Sequence, residues 1–169
     1  MANFPKLIPA FTARIHLGTP ENFGVLALGT SQTHAAFLPD TGSLVSEPSY
    51  PIKIDAVFVH GADYIRYDPD GNHVRLSVSS LLRDKHTGAP VRFDYTGTVD
   101  ISGPAGKVLK GLPEAATTEF GEAFTQPKFE TGADSLKDIQ NKVYVGSGRF
   151  ILEDGKPVVV EYKISEVAA

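Results

Sequence analysis

An uninterrupted alternation of apolar and polar residues near the middle of the chain is the strongest constraint on its fold. Between residues 91 and 101, every second position carries an apolar or small side chain. These positions are Val91, Phe93, Tyr95, Gly97, Val99 and Ile101, and they alternate with Arg92, Asp94, Thr96, Thr98 and Asp100. A period of two places the two sets on opposite faces of a β-strand, whereas a helix would mix them. The segment therefore predicts a long strand with one apolar face.

Similar alternation recurs elsewhere and is separated by turn sequences. Residues 52–60, 74–83 and 158–165 show the same pattern. Between the strands lie segments rich in Asp, Gly and Pro, which favour tight turns because Gly accepts a positive φ and Pro presets the backbone. These segments are 68–72, 86–90 and 153–156. The order predicts three hairpins, over residues 62–84, 74–101 and 142–167, and hence an antiparallel meander.

Helical signals are scarce. Residues 134–140 predict one short helix, because Asp134 or Ser135 can cap it and Leu136 and Ile139 share a face. The Gly- and Pro-containing segment 102–113 predicts a loop or an irregular strand. Many strands with one helix favour an all-β fold: a closed or nearly closed antiparallel β-barrel of the lipocalin or calycin type, rather than a sandwich. We expect one domain over residues 1–169, with room for one small ligand.

Composition narrows the function. The chain has no Cys, so disulfides, thiolate nucleophiles and Cys–zinc sites are excluded. A net charge of −4 gives no electrostatic support for binding nucleic acid. No apolar run approaches the roughly 20 residues of a membrane helix, and the first eleven residues lack a secretory apolar segment, so we expect a cytoplasmic protein that does not engage a membrane. No metal-ligand spacing or nucleotide-binding motif occurs, and we expect neither metal nor cofactor.

Two residues on apolar strand faces are candidates for chemistry. His60 follows Ile52, Ile54 and Phe58 on one predicted face, where it is either a hydrogen-bonded histidine at the barrel rim or an acid–base group in the barrel mouth. Tyr95 lies on the apolar face of its strand, and its buried hydroxyl needs a partner. That partner is a backbone carbonyl in a packed core, or a ligand in a cavity.

The order of short motifs resembles one known family. The segments are His60-Gly61-Ala62-Asp63-Tyr64, Pro69-Asp70-Gly71, Phe129-Glu130-Thr131-Gly132 and Asn141 followed by Val143-Tyr144-Val145-Gly146-Ser147-Gly148. Together they resemble the family called domain of unknown function 3237, or uncharacterised protein family 0311, over residues 10–167. The resemblance implies a compact antiparallel β-barrel with a short helix, and it implies no established activity.

The chain departs from that family in specific places. His60 stands where the family tends to have Gly, and Tyr64 where it tends to have Trp. The resemblance is weakest over residues 30–49, so a pocket lined by that region is expected to be particular to this protein.

The polar residues within the matched segments complete the candidate site. Glu130 and Asn141 are either structural, capping the helix and holding each other, or they converge with Asp63 at one barrel end. The functional alternative predicts Asp63, Glu130 and His60 as catalytic residues that approach one cavity. The predicted substrate-binding residues are Tyr64, Tyr95, Asn141, Tyr144 and His34.

Three functions remain open on these grounds. The first is an enzyme without a cofactor, an isomerase, cyclase or lyase that uses acid–base catalysis on a hydrophobic aromatic, phenolic, polyketide-like or terpenoid-like metabolite. The second is a carrier of such a molecule, and the third is an oligomeric structural protein with a filled barrel. A homodimer is also expected, because Val57 and Val59 make the opposite face of their strand apolar.

Overall fold

The computed structural model describes residues 3–169. In this part of the chain the strands are β1 (Lys6–His16), β2 (Glu21–Val25), β3 (Ser31–Ala36), β4 (Thr41–Ser46), β5 (Asp55–Tyr67), β6 (His73–Asp84), β7 (Pro90–Asp100), β8 (Ala123–Glu130), β9 (Tyr144–Ile151) and β10 (Val159–Ala168). Helix α1 spans Pro104–Leu109, and a 3-10 helix spans Lys137–Asn141.

Eight of the strands form a closed antiparallel barrel. Their order is β5-β4-β1-β10-β9-β8-β7-β6, and pairing of β5 with β6 closes the ring. The predicted all-β barrel is therefore confirmed. The predicted hairpins correspond to β5–β6, β6–β7 and β9–β10, with registers such as Val78 opposite Tyr95. Closure pairs the strand edges that would otherwise be free to aggregate.

The remaining two strands form a hairpin outside the ring. Strand β5 is long enough to pair with two strands along the same edge, with β4 over Asp55–Phe58 and with β3 over Ala62–Arg66. Strand β2 then pairs with β3. The pairing of β5 with β6 contains a β-bulge between Phe58 and His60. An extra residue in one strand shifts the alternation of side chains beyond it.

Aromatic side chains fill much of the barrel interior. Phe11 contacts Tyr50, Phe129 and Tyr144, with ring centroids 5.0–5.5 Å apart, and Phe93 contacts Phe129 at 5.0 Å. Aromatic pairs in tilted or edge-on geometry add about 0.5–1.5 kcal/mol each to the free energy of burial. The interior at this level is a packed core.

The two helical segments differ from the sequence-based expectation. The prediction of a loop or irregular strand over 102–113 is wrong, because α1 forms there. Pro104 occupies the start of the helix, where a missing N–H costs nothing, and the Ala105 N–H donates to Glu122 Oε2 at 2.8 Å. The helix expected at 134–140 is present only as a turn followed by the 3-10 helix at 137–141.

Among residues 3–169, no helix has the length and apolar character needed to cross a membrane.

Val57 and Val59 are half-buried within this single chain, and the homodimer stays a prediction.

Candidate functional site

Asp63 is a buried carboxylate in the wall of the barrel. It lies beyond the bulge of β5, where odd-numbered residues point inwards, and only 6% of its surface is exposed. Its Oδ1 accepts a hydrogen bond from the Ser77 N–H at 2.9 Å. Burial raises the pKa of Asp63 to about 7, although the Ser77 hydrogen bond acts in the opposite direction. This carboxyl group therefore changes protonation near neutral pH.

Two phenol groups lie next to Asp63. Tyr95 comes from β7 and Tyr162 from β10, and their ring centroids are 5.2 Å apart in an edge-on arrangement. Burial raises the pKa of both hydroxyls above the ordinary tyrosine value, and the nearby Asp63 carboxylate raises them further. Both phenols consequently remain protonated, and able to donate hydrogen bonds, throughout the physiological pH range.

The three side chains line one small interior cavity. Its volume is about 20 Å³, which is enough for roughly one water molecule. Apolar residues complete its lining, among them Ile65, Leu109 and Phe150. A wide chamber through the barrel is not present among the described residues, because the aromatic core occupies that space.

A larger pocket opens at the end of the barrel next to this cavity, and we call it the end pocket. Its volume is about 430 Å³, within the range of small-molecule sites. Leu17, Thr33, Ala35, Leu38, Ile65, Val108, Leu109, Phe150 and Val158 contribute to its lining. Five residues line both spaces, so Asp63 lies beneath the floor of the end pocket: Leu17, Ala35, Ile65, Leu109 and Phe150. Thr33, Ala35 and Leu38 come from the region where the family resemblance is weakest.

His60 and Glu130 do not join Asp63. His60 is exposed on the outside of the barrel, because the bulge at Phe58 shifts it off the inner face that simple alternation predicted. Glu130 is the last residue of β8; its side chain is 65% exposed and forms an ion pair with Arg92 at 3.2 Å. The expectation that His60, Asp63 and Glu130 approach one cavity is therefore wrong.

Tyr64 and His34 also lie on the outer face. Adjacent residues of a strand point to opposite sides, so Tyr64 points away from the interior that Asp63 faces. Its ring lies 5.0 Å from that of His34 on β3 and 6.3 Å from that of Phe23 on β2, the latter nearly parallel. These residues form an exposed aromatic group on the barrel exterior.

Tyr144 and Asn141 belong to the opposite end of the barrel. Tyr144 begins β9, whereas Phe150 of the end pocket lies six residues further along the same strand. The Tyr144 hydroxyl is 3.1 Å from that of Tyr50, which donates to Glu166 at 2.6 Å. Asn141 is exposed at the end of the 3-10 helix. Neither residue lines the interior cavity or the end pocket.

The structure thus unites Asp63 and Tyr95 from the predicted set and adds Tyr162, which the sequence-based prediction omitted. The signal for Tyr162 is the one that identified Tyr95, since Tyr162 shares the apolar inner face of β10 with Val160 and Ile164. A carboxyl group that titrates near neutrality, beside two neutral phenols, can accept a proton and stabilise a developing oxyanion. Within residues 3–169, no group of three or more His, Asp or Glu side chains is arranged to hold a metal ion.

Comparison with solved structures finds the same fold in bacterial proteins. A conserved protein of unknown function from Rhodopseudomonas palustris superposes with a TM-score of 0.75 at 18% identity, covering 98% of this chain and 99% of that one. A beta-barrel like protein from Acinetobacter baumannii gives 0.72 at 16% identity, over 99% of this chain and 98% of the other. A protein of unknown function from Clostridium acetobutylicum gives 0.72 at 16% identity, over 98% and 100%.

No protein of curated function matches the chain. A family model described as "Protein of unknown function (DUF3237)" matches residues 5–167, which is nearly the whole chain. The chain therefore belongs to the DUF3237 family.

Proposed function

We propose that the end pocket binds a small, mostly apolar or phenolic molecule, and that Asp63 performs acid–base chemistry on it. The observation that carries this proposal is a carboxyl group with a pKa of about 7, buried beside two phenols beneath an apolar pocket. Perturbed titratable groups next to a pocket mark functional sites more often than chance. The reaction class is an isomerisation, cyclisation or elimination that needs no cofactor.

The proposed roles follow from the chemistry of the groups. A general base is most effective when its pKa lies near the ambient pH, as that of Asp63 does. Asp63 would remove a proton from a carbon next to a carbonyl group, while Tyr95 and Tyr162 donate hydrogen bonds to the carbonyl oxygen as negative charge develops there. In an isomerisation, the protonated Asp63 returns the proton to a different carbon, so no other reactant is consumed.

One observation favours a second candidate, a carrier without chemistry. The interior cavity of about 20 Å³ is smaller than a substrate, and Ile65, Leu109 and Phe150 lie between it and the end pocket. A ligand held only in the end pocket would therefore not touch Asp63 unless these side chains change rotamer. The packed aromatic core at the centre of the barrel also agrees with a third alternative, a structural protein with a filled barrel. That alternative gives the end pocket no role.

The aromatic ketone 2-tetralone separates these candidates, because it is small and apolar and carries acidic protons beside its carbonyl. We expect the protein to bind it and to accelerate exchange of those protons with deuterium in heavy water, measured by NMR. Asp63→Asn should retain binding and lose about 10²–10⁴-fold of the accelerated exchange.

Two matched variants locate the site. Val158→Phe fills the end pocket and should abolish both binding and exchange, whereas Val143→Phe adds the same ring at a residue that is 66% exposed and outside the pocket, and should change neither. Binding without accelerated exchange would support the carrier instead. Absence of binding, or binding indifferent to Val158→Phe, would overturn both.

A further inference from the structure

The outer face of strands β5 to β8 forms an open groove, separate from the end pocket. Two depressions of about 750 and 980 Å³ share Tyr64, Ser77, Thr96 and Gln126, and so they are continuous. We call this surface the outer groove. Its residues point away from the barrel interior, since they alternate with the buried residues of the same strands.

The shape of the groove follows from side-chain size. Its floor, on β6 and β7, consists of short hydroxyl side chains such as Ser77, Ser79 and Thr96, all of them exposed. Its walls carry long side chains, with Tyr64 on β5 and Gln126 on β8. From residue 75 to residue 81 along β6, the floor extends over roughly 20 Å at about 3.4 Å per residue. A groove of this length suits a chain-like ligand.

Two arginines occupy directly opposite positions in the groove. Arg66 of β5 pairs in register with Arg75 of β6, and like charges in this position destabilise a sheet. Asp68 forms an ion pair with Arg75 at 2.6 Å. Arg66 has no carboxylate within ion-pair distance in the described part of the chain, and it is exposed. Asp68 offsets the charge of Arg75 only, so an anion bound here would neutralise Arg66 and accept hydrogen bonds from Arg66 and from the N–H groups that Arg75 does not donate to Asp68 or Thr98.

The other groups of the groove suit sugars. Tyr64 and Phe124 are 46% and 57% exposed and offer flat apolar surfaces on which sugar rings stack. The floor hydroxyls and the amide of Gln126 can donate and accept hydrogen bonds with ligand hydroxyls. An apolar ligand would leave these polar groups without partners, at a cost in binding free energy.

Hydrogen-bond donors distinguish this ligand from a nucleic acid. Asp94 lies in the groove and pairs with Arg92 at 2.6 Å, and Glu130 pairs with the same arginine at the rim. These ionised carboxylates can only accept hydrogen bonds, and the phosphodiester backbone of a nucleic acid has no donor to offer them. The hydroxyls of an acidic oligosaccharide can donate hydrogen bonds to those same carboxylates.

We propose that the outer groove binds an acidic oligosaccharide, with Arg66 and Arg75 contacting a sugar carboxylate and Tyr64 and Phe124 stacking on sugar rings. This site is independent of the proposed chemistry at Asp63, because it lies on the other side of the same sheet wall.

Isothermal titration with tetragalacturonate, an oligomer of four uronic acids, tests the proposal. We expect binding that weakens with added salt, and at least about tenfold weaker binding of the neutral cellotetraose. Arg66→Ala and Tyr64→Ala should each weaken tetragalacturonate binding about tenfold, whereas Lys107→Ala removes one positive charge at an exposed position of α1 and should have no effect. Both groove side chains are exposed, and circular dichroism verifies that their variants fold.

Each alternative outcome is decisive. No binding of tetragalacturonate, equal binding of cellotetraose, or binding unchanged in Arg66→Ala would overturn the proposal. Tighter binding of a ten-nucleotide oligothymidylate than of tetragalacturonate would replace it with a nucleic-acid surface. Retained tetragalacturonate binding in the Val158→Phe variant, whose end pocket is filled, would support two independent sites.

Discussion

Replacing Asp63 with Asn changes how the stability of the protein depends on pH. In the folded protein the carboxyl group has a pKa of about 7, against an ordinary value of 3.8, because burial disfavours its charged form. The folded state therefore holds this proton more tightly than the unfolded state does. The contribution of Asp63 to stability is fully present below about pH 4 and is lost as pH rises towards 7.

The size of the effect follows from the two pKa values. A gap of about three pH units, at 1.36 kcal/mol per unit, corresponds to about 4 kcal/mol lost between pH 4 and pH 7. The Asp63→Asn variant would have no such loss, because an amide stays neutral, and its oxygen can still accept from the Ser77 N–H. The stability of Asp63→Asn relative to the wild type should therefore increase by up to about 4 kcal/mol between pH 4 and pH 7 and stay constant above pH 7.

Urea denaturation of both proteins at a series of pH values between 4 and 8 measures this difference directly. Any constant cost of fitting the amide into the cavity cancels, since only the change with pH is compared. The matched control is Glu130→Gln, where an exposed ion pair with Arg92 is lost and the difference should stay below about 1 kcal/mol throughout. A difference between wild type and Asp63→Asn that is the same at every pH would refute the reasoning.

Three further substitutions test other parts of the molecule. Gly61→Ala places a methyl group 2.5 Å from the Phe37 ring and should cost about 1–3 kcal/mol, seen as a lower Tm. Glu161→Gln removes a carboxylate that accepts hydrogen bonds from Arg14 and Arg149. Burial acts to raise the pKa of Glu161, but these hydrogen bonds keep it below the ordinary value. We expect the free energy of unfolding to fall by about 2–4 kcal/mol relative to the wild type at neutral pH, as measured by urea denaturation. This difference should become smaller on acidification below about pH 4.5. Tyr162→Phe should slow 2-tetralone exchange at least about tenfold with little change in Tm, and unchanged exchange would remove this hydroxyl from the proposed mechanism.

The sequence predicts the barrel because alternation and turn chemistry are local properties. Strands β6 and β7 show their inner faces in the printed order of residues, as does β5 as far as Phe58, and the turns between them follow from Gly and Pro. The same reasoning fails at His60, because the bulge after Phe58 adds one residue and reverses the alternation. A bulge depends on how β5 pairs with β6, and no residue in this segment indicates it.

The sequence likewise predicts one part of the candidate site and not another. The inward orientation of Tyr95 follows from its own strand, and Tyr162 satisfies the same criterion on β10. Their proximity does not follow, since it results from the curvature of a ring in which β7 and β10 are not neighbours. Helix α1 was missed because Gly103, Pro104 and Gly106 resemble a loop. Gly106 is needed for packing, since a Cβ there would overlap the Ile101 carbonyl.

Strand β5 pairs with the ring strands β4 and β6 and, over the second half of its length, with β3 of the extra hairpin. Ring closure depends on β4 and β6, whereas residues between Gly18 and Leu38, on β3 and on the segments that join the extra hairpin to the ring, contribute part of the pocket wall. Under the proposed function, part of the ligand-contacting wall is therefore encoded outside the strands that close the ring. Descendants of one ancestral barrel could diversify in what they accept by exchanging this hairpin, while the ring that makes them fold stays untouched.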